Sequence, residues 1–455
     1  MTKRKKADGE TDMGEQMIEK IQDAGVVGAG GAGFPTHVKV SSTAKTIVVN
    51  GAECEPLLRV DQQLMSMKTK QMVKGLCIVM EISRAGQGVI ALKAKYKEAI
   101  EQLKKEIAGK PIRLNILDDF YPAGDEHVTV YEATGNLVPQ GAIPLKVDCV
   151  VINVETLINV AEALEGKPVM DTYLTVTGEI AKPITMKLPV GTPIKEVLAI
   201  AGVKSLKGLK VIDGGPMMGK IVEDLTDSIT KTTKGLIVLP EDHPLIRKRL
   251  KVIDRIIKES NVACIQCRFC TDLCPRYLLG HKLEPHKIMR SLGHIHGQED
   301  ALKMALVCSE CGVCEQYACI VDLSPRKVNA MLKQELSKKG IKPDMPKEQT
   351  VSHMQEHRKI PVKRLISRLG LTAYDKNAPL EKMEYQVKRV HIKLHQHVGA
   401  PSIPVVEVGQ KIQRGSLIAR IPDNALGANI HASISGIVME VSDSIVITSG
   451  EGSGE

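Results

Sequence analysis

Eight of the 11 cysteines fall between Cys264 and Cys319, in two groups whose spacing can do redox chemistry. The first is Cys264, Cys267, Cys270 and Cys274 followed by Pro275, spaced C-x2-C-x2-C-x3-C-P. The second is Cys308, Cys311, Cys314 and Cys319, with four residues before its last member and no proline after it. Three thiolates at every third position let a tight turn wrap one face of an iron–sulfur cubane, and a remote fourth cysteine closes it. If the pairing follows two-cluster ferredoxins, Cys264, Cys267 and Cys270 share a cluster with Cys319, and Cys308, Cys311 and Cys314 share one with Cys274. Zinc is the competing reading, but it usually takes two pairs of ligands in a tetrahedron, whereas each group here offers three close thiolates plus one. A disulfide framework does not account for such clustering in a reducing compartment. Two 4Fe-4S clusters are expected, and their chemistry is the passage of single electrons.

A second constellation is the loop Gly28, Gly30, Gly31 and Gly33, which satisfies G-x-G-x-x-G. As a dinucleotide fingerprint that pattern needs a strand before it and a helix after it. Here a helical segment precedes, and Phe34-Pro35-Thr36 follows, where Pro35 resists simple helix continuation. The Gly-Lys-Ser/Thr of a P-loop is missing too. The chemistry that survives is close approach: backbone N–H groups free of side chains can meet a phosphate or a flat ring. A flexible loop is the bland alternative.

The elements that must position these residues follow from periodicity. Met17, Ile18 and Ile21 recur at helical spacing over 15–24, with Gly25 placed to cap. Strands are expected at 46–50, 88–92, 112–117 and 149–153, with a long helical pattern from 62 to about 83. That alternation predicts an α/β domain with a largely parallel sheet over 15–166. Short β-type segments around one helical stretch, 194–201, predict a small α+β module over 171–240. Helical patterns surround the cysteines over 245–335, and a Pro-, Lys- and His-rich connector follows. Residues 388–449 alternate apolar and polar with glycines at 399, 409, 415, 427 and 436, which predicts a compact all-β module.

Four strings decide among these readings: Gly28-Ala-Gly-Gly-Ala-Gly-Phe-Pro-Thr36, Asn50-Gly-Ala-Glu-Cys-Glu-Pro56, Tyr121-Pro-Ala-Gly-Asp-Glu126 and Asn153-Val-Glu-Thr156. In that order they resemble the flavin- and NADH-binding motifs of the flavin-carrying component of respiratory NADH dehydrogenases. With Cys-Thr-Asp-Leu-Cys-Pro-Arg at 270–276 and His-Ala-Ser-Ile-Ser-Gly at 431–436, nearly the whole chain is similar to the RnfC/PduS family, which includes the PduS-type cobalamin reductases. The resemblance implies a soluble-ligand-binding β-grasp (SLBB) unit near 171–240 and a barrel-sandwich hybrid as the last module, whose C-terminal position favours the PduS branch. It implies FMN contacts at Gly28, Gly30, Gly31, Gly33, Lys39, Asn50, Asn153 and Thr156. It also implies nicotinamide-dinucleotide contacts at Glu53, Glu55, Tyr121, Asp125 and Glu126, with Gly124 in the same cofactor-binding turn. Lys39 and backbone N–H groups can hold a phosphate, carboxylates can accept from ribose hydroxyls, and Tyr121 can stack on a ring. Each has a structural alternative: Asn50 and Asn153 end strands, Glu53 and Glu55 form a solvated turn, Asp125-Glu126 caps a helix.

Composition bounds the rest. At 455 residues, 43% apolar and 25% charged, the chain suits several globular domains. A net charge of +9 permits nucleic acid, yet there is no Trp and only three Phe to stack on bases, so no nucleic-acid role is expected. No run approaches the roughly 18 apolar residues of a membrane span, and the charged start Met1 to Asp12 lacks a signal peptide's apolar region. A cytoplasmic protein with a charged tail over 1–14 is expected. The basic stretch 327–368 reads as solvated surface able to dock a partner. The turn 426–431 has no lysine for biotin or lipoyl attachment, and no Asp-x-His-x-x-Gly string is present to bind a corrinoid tightly. His281, His286, Cys54, Cys77, Cys149 and the Met217-Met218 pair are expected to be structural, Cys54 being close to the flavin pocket.

What the resemblance implies for function is an NADH-oxidising reductase: a hydride from NADH to FMN, then single electrons through two clusters to an acceptor. That acceptor is a corrinoid in the PduS-type reading, with the protein inside a bacterial microcompartment. In a second reading the chain is an RnfC-like component of a larger soluble oxidoreductase, such as a methylenetetrahydrofolate reductase, and feeds a partner protein. A third makes the clusters structural only. Replacing Cys311→Ala should remove one cluster's share of the iron while the flavin stays; iron analysis showing full retention would exclude Cys311 as a ligand.

Overall fold

The computed structural model describes residues 13–292, 299–346 and 348–450. Most of the expected charged tail lies outside the described residues. Helix α1 (Met13–Asp23) buries Ile21 and rests Met17 and Ile18 on the core, and Gly25 turns the chain at φ +67°. The glycine loop follows and leads into a short helix, α2 (Thr36–Val40), with Pro35 just ahead of it. Pro35 therefore opens a helix where the sequence predicted none: its fixed φ suits a helix start, and the N–H it lacks would have no partner there.

The core of the first domain is a four-stranded parallel sheet in the order β3-β2-β1-β5, formed by β1 (Thr46–Gly51), β2 (Gln87–Lys93), β3 (Ile112–Leu117) and β5 (Cys149–Asn153). Ile47, Val48 and Val49 in β1 and Val150, Val151 and Ile152 in β5 are buried on both faces, as a helix-covered parallel sheet requires. The covering helices are α3 (Val60–Met67), α4 (Thr69–Ile82), α5 (Lys97–Glu106), α6 (Glu126–Thr134) and α7 (Val154–Leu164). The expected single helix over 62–83 is broken at Lys68, whose φ of −120° is not helical. A two-residue strand, β4 (Phe120–Tyr121), precedes α6.

The second module is a mixed sheet ordered β7-β6-β10-β8-β9: β6 (Asp171–Gly178), β7 (Ile184–Pro189), β8 (Leu209–Asp213), β9 (Lys220–Ile221) and β10 (Gly235–Pro240). Within it β10 and β6 run parallel and the other pairs antiparallel, and α8 (Ile194–Ile200) packs on this sheet. Helices α9 (Pro244–Leu250), α10 (Ile253–Ala263), α11 (Phe269–Asp272), α12 (Pro275–Leu278), α13 (Pro285–Ser291), α14 (Glu299–Lys303) and α15 (Pro325–Lys338) hold the cysteines. The final module has two antiparallel sheets, β12-β18-β17-β14 and β13-β15-β16. Its strands are β12 (Arg389–Lys393), β13 (Ile403–Pro404), β14 (Lys411–Ile412), β15 (Leu417–Arg420), β16 (Ile430–His431), β17 (Gly436–Val441) and β18 (Ser444–Thr448).

The connector is not a loose linker. Its strand β11 (Ile360–Pro361) pairs antiparallel with β4 of the first domain, Ile360 opposite Tyr121, and α16 (Val362–Arg368) buries Leu365 against the same core as Leu57 and Met217. Part of the basic stretch is half-buried, while Lys338, Lys339, Lys342, Lys363, Arg364 and Arg368 are exposed as expected. Lys327 Nζ donates to the carbonyls of Lys248, Arg249 and Lys251, Lys333 pairs with Glu310 at 3.1 Å and Lys359 with Glu132 at 2.9 Å.

Helices α4 and α7 pack backbone to backbone through Gly75, where an added Cβ would lie 1.9 Å from the carbonyl oxygen of Leu157. Gly75→Ala must push the helices apart beneath the cofactor-facing edge of the sheet, at a cost of about 1–3 kcal/mol. A fall of several degrees in the apparent unfolding temperature is expected, read by calorimetry; an unchanged transition would show that the helices slide freely.

Candidate cofactor sites

The two cysteine loops have the same backbone shape. The middle cysteine of each is flanked by residues in left-handed conformation: Gln266 (φ +56°) and Arg268 (+67°) around Cys267, Glu310 (+57°) and Gly312 (+80°) around Cys311. These reversals curl each loop so that its three thiols face inward. Burial pushes the Cys270 thiol up to about 12, assisted by the nearby Cys319, Cys264 and Cys267. Burial, then Cys308, Cys311 and Cys274, raises the Cys314 thiol and places Cys274 with the second loop. Cys274 also acts on Cys270, so the two groups adjoin, and Cys274 lines one cleft with Cys308, Cys311 and Cys314, a placement that suits a crossed pairing.

All 11 cysteines are free, and the two quartets differ in depth. Cys274, Cys308, Cys311 and Cys314 are buried and line a narrow apolar cleft with Pro275, Leu283, Pro285 and Val313. In the other quartet Cys267 is exposed and Cys264, Cys270 and Cys319 are half-buried. Among the described residues no group of three or more His, Cys, Asp or Glu converges tightly enough to clasp a single ion. Thiols that gather round an apolar cleft without meeting at a point fit a cluster better than zinc. Their sulfurs receive the hydrogen bonds that tune such a group: Glu310 N–H to Cys308 at 3.3 Å, Leu323 N–H to Cys319 at 3.2 Å, Gln266 Nε2 to Cys264 at 3.1 Å.

The flavin candidates meet at the C-terminal edge of the parallel sheet. Strand β1 continues to β2 on one side and has β5 on the other, so the chain reverses its direction of travel between β1 and β5, where a crevice opens in sheets of this type. Asn50 stands near the end of β1 and Asn153 at the end of β5. The glycine loop closes over them: Gly28 N–H donates to Phe34 O at 3.0 Å, and Ala29 N–H to Thr156 Oγ1 at 2.9 Å. A Cβ on Gly30 would sit 2.7 Å from Asn153 Nδ2, so only glycine brings this backbone so close. The carbonyl of Gly33 (φ +73°) accepts from Val398 N–H, which seats the last module on the loop.

Asn153 also caps α7 through Glu155 N–H and donates Nδ2 to Asp61 at 2.8 Å, while Lys234 of the second module pairs with buried Glu155. The other Asp61 oxygen is buried without a hydrogen-bond partner. Sequence reasoning misses Asp61, Glu155 and Lys234 as site residues, because nothing local links them. Asn50 donates to Gly124 O at 2.9 Å, and a Cβ on Gly124 would meet Cys54 Sγ at 3.0 Å. Lys39 and Glu126 form an ion pair at 2.8 Å, half-exposed at the rim.

The remaining acidic and aromatic candidates are engaged with protein. Glu53, at φ +36°, accepts from the N–H groups of Asp61 and Gln62 and so caps α3, in place of the solvated turn given as its alternative. Glu55 accepts from the N–H groups of Met217 and Met218 at 2.9 Å each, tying the first domain to the second. Tyr121 is buried, and its hydroxyl donates to Cys311 O at 2.6 Å. Asp125 caps α6 and forms a 3.0 Å ion pair with Arg276, two residues past Cys274. Direct dinucleotide contact by Glu55, Tyr121 or Asp125 therefore does not follow from this geometry; they couple the crevice to its neighbours. The other side chains set aside are structural: His281 stacks on His127, His286 bonds Thr271 at 2.7 Å, and Met217 is buried although Met218 is exposed.

Burial, with Asp61 nearby, pushes the Glu53 carboxyl up to about 7. An acid whose folded pKa lies above its unfolded one binds a proton on folding, so stability falls as pH rises from about 4.5 to 7. Glu53→Gln should flatten that window in urea titrations; an unchanged slope would show that Glu53 is ionised throughout.

Comparison with known proteins agrees with this layout. Residues 21–162 match the Nuo51 FMN-binding domain, 173–220 the SLBB domain, 263–324 a 4Fe-4S dicluster domain and 371–453 the RnfC barrel sandwich hybrid domain. The chain is 45% identical over 434 residues to the cobalamin reductase PduS of Salmonella typhimurium, covering 95% of this chain and 96% of that protein. It is 45% identical over 427 residues to PduS of Citrobacter freundii, covering 93% and 94%. With a component of the Na(+)-translocating ferredoxin:NAD(+) oxidoreductase complex of Acetobacterium woodii it shares 37% identity over 277 residues, 59% of each chain. An FMN domain at the switch point of a parallel sheet, two cysteine quartets and near end-to-end similarity make this chain a flavin and iron–sulfur oxidoreductase that belongs to the PduS/RnfC family.

Proposed function

We propose that the protein oxidises NADH and passes the electrons singly to a corrinoid acceptor, in the cytoplasm or within a bacterial microcompartment. The observation that carries this reading is the bonding of the crevice turn to the cluster loops, Tyr121 to Cys311 O and Asp125 to Arg276. Those contacts support a direct path from the flavin crevice to the buried quartet, without a mobile carrier. FMN supplies the conversion of a hydride pair into single electrons, and the clusters supply their passage.

The residues of the chain do the holding. Gly28, Gly30, Gly31 and Gly33 bring backbone N–H groups to the crevice, and Lys39 supplies a cation for a phosphate. Asn50, Asn153 and Thr156 offer polar atoms along its floor. Glu126 and Lys39, at the rim, separate to admit a dinucleotide, while Glu53 shapes the turn beneath it. The balance is one NADH giving NAD+, a proton and two electrons, which reduce two cob(III)alamin to cob(II)alamin. Similarity to members of larger complexes, such as that of Acetobacterium woodii, supports a second reading, delivery to a partner oxidoreductase. No helix among the described residues is long and apolar enough to cross a membrane.

Purified without oxygen, the protein should show a flavin spectrum, about eight irons per chain, bleaching by NADH and NADH-driven formation of cob(II)alamin. Iron without flavin would remove the dehydrogenase reading, and corrinoid reduction only with an added partner protein would favour the second. Gly30→Val should lose most of the flavin with iron unchanged; full flavin occupancy would show that the loop is not its seat.

A further inference from the structure

The quartet of Cys264, Cys267, Cys270 and Cys319 sits at the surface, and its surroundings differ from the rest of the molecule. Val262 is 90% exposed, Ile265 62%, Ile320 53% and Phe269 47%, each within two residues of one of these cysteines. Large apolar side chains gathered at one place on a soluble surface mark an interaction site. Beside Cys319 and Ile320 an open groove runs between α9 and α16, with Leu245 and Leu369 in its floor.

The charge here is one-sided. Residues 244–270 contain seven Lys or Arg against two Asp or Glu; Lys248 and Arg249 are bonded inward, and Asp322 in the groove is paired with Lys248 and Lys251. One of the two acids, Glu259, is already held by Arg255 at 2.8 Å and Lys251 at 3.2 Å. Exposed Arg247 and Arg368, both lining the groove, and exposed Lys258 on α10 have no ion-pair partner among the described residues. An apolar centre with unpaired cations at its rim matches a partner whose own apolar patch is ringed with carboxylates.

The other quartet cannot play this part. Cys274, Cys308, Cys311 and Cys314 are all buried, with Tyr121 bonded to one flank and the backbone of Met217 3.0 Å from where a Cβ on Gly312 would lie on another. The geometry points to the Cys264, Cys267, Cys270 and Cys319 quartet as the outlet for electrons, and to the apolar, basic-rimmed face around it as the docking surface for an acidic one-electron acceptor protein. This rests on the second reading above, in which NADH is the donor and the quartets deliver its electrons to a partner protein. Each NADH oxidised gives NAD+, one proton and two electrons, so two acceptor molecules dock in turn and each is reduced by one electron.

Two measurements on the holoprotein test it. In the first, an anionic dysprosium chelate is added to the reduced protein and the electron paramagnetic relaxation of the clusters is read. Cys311→Ala, which retains the outer quartet, should relax strongly, and Cys267→Ala, which retains the inner one, should barely respond. In the unmodified protein one of the two overlapping signals should relax and the other should not; equal or reversed responses overturn the assignment. In the second, oxidised flavodoxin, an acidic one-electron carrier, is the probe and NADH the reductant. The double variant Val262→Glu, Lys258→Glu should keep its iron, flavin and bleaching by NADH, yet reduce flavodoxin about tenfold more slowly at low salt, and the unmodified protein's rate should fall as salt rises. Equal rates, a rate indifferent to salt, or no reduction of flavodoxin overturns the docking surface. Failure of NADH to bleach the holoprotein would instead overturn the function proposed above.

Discussion

The buried ion pair between Asp125 and Arg276 is the constraint on which the arrangement of the two cofactor regions turns. The pair is almost wholly removed from water, with side chains 6% and 12% exposed. Against the upward push of burial, Arg276 holds the Asp125 carboxyl below its usual range. Taking away one partner of such a pair leaves an uncompensated charge in the interior, typically a loss of about 3–5 kcal/mol. Asp125 opens α6 beside the crevice, and Arg276 follows Cys274, the cysteine that lies in one cleft with Cys308, Cys311 and Cys314. One contact therefore fixes the flavin domain to the point where the two cysteine segments adjoin.

Around that point the modules are welded rather than strung together. One core unites Leu57 and Tyr121 of the first domain, Ile212, Met217 and Ile237 of the second, Val313 beside the cysteines and Leu365 of the connector. Another is shared by Leu174 and Val238 of the second module with Ile392, Ile418 and Ile445 of the last. Electron transfer falls steeply with distance, so a rigid junction preserves function in a way that flexible linkers would not. The return of the connector to pair β11 with β4 adds a backbone tie beside Tyr121 itself.

The same packing explains why several residues of the nucleotide motifs face protein. Glu55 bridges to Met217 and Met218, Glu53 caps α3, and Tyr121 reaches a cysteine carbonyl. Their motif positions are conspicuous in the chain because the turns are unusual, and the turns are unusual because they carry inter-domain contacts as well as a crevice. The likeness of Asn50 and Asn153 is of a different kind: both stand at strand ends that flank the switch point, where polar side chains can serve either the protein or a ligand.

What the sequence determined by itself was whatever is encoded over short separations. The cysteine spacing specified two loops that each wrap three thiols, the alternation of buried strands and helical patterns specified a parallel α/β domain, and glycine at 28, 30, 31 and 33 specified a backbone open to close approach. What only the tertiary structure decided was which groups meet across the chain. Lys234 with Glu155, Asp61 with Asn153 and Arg276 with Asp125 lie 79, 92 and 151 residues apart, and no local periodicity records such pairs. The basic stretch 327–368, read as solvated surface, is exposed at Lys338, Lys339, Lys342, Lys363, Arg364 and Arg368, whereas Lys327 and Lys359 are spent on backbone carbonyls and a carboxylate, because a lysine's fate depends on what folds over it. Depth is decided the same way: two quartets of nearly identical spacing differ in exposure only because other modules pack on one and leave the other bare.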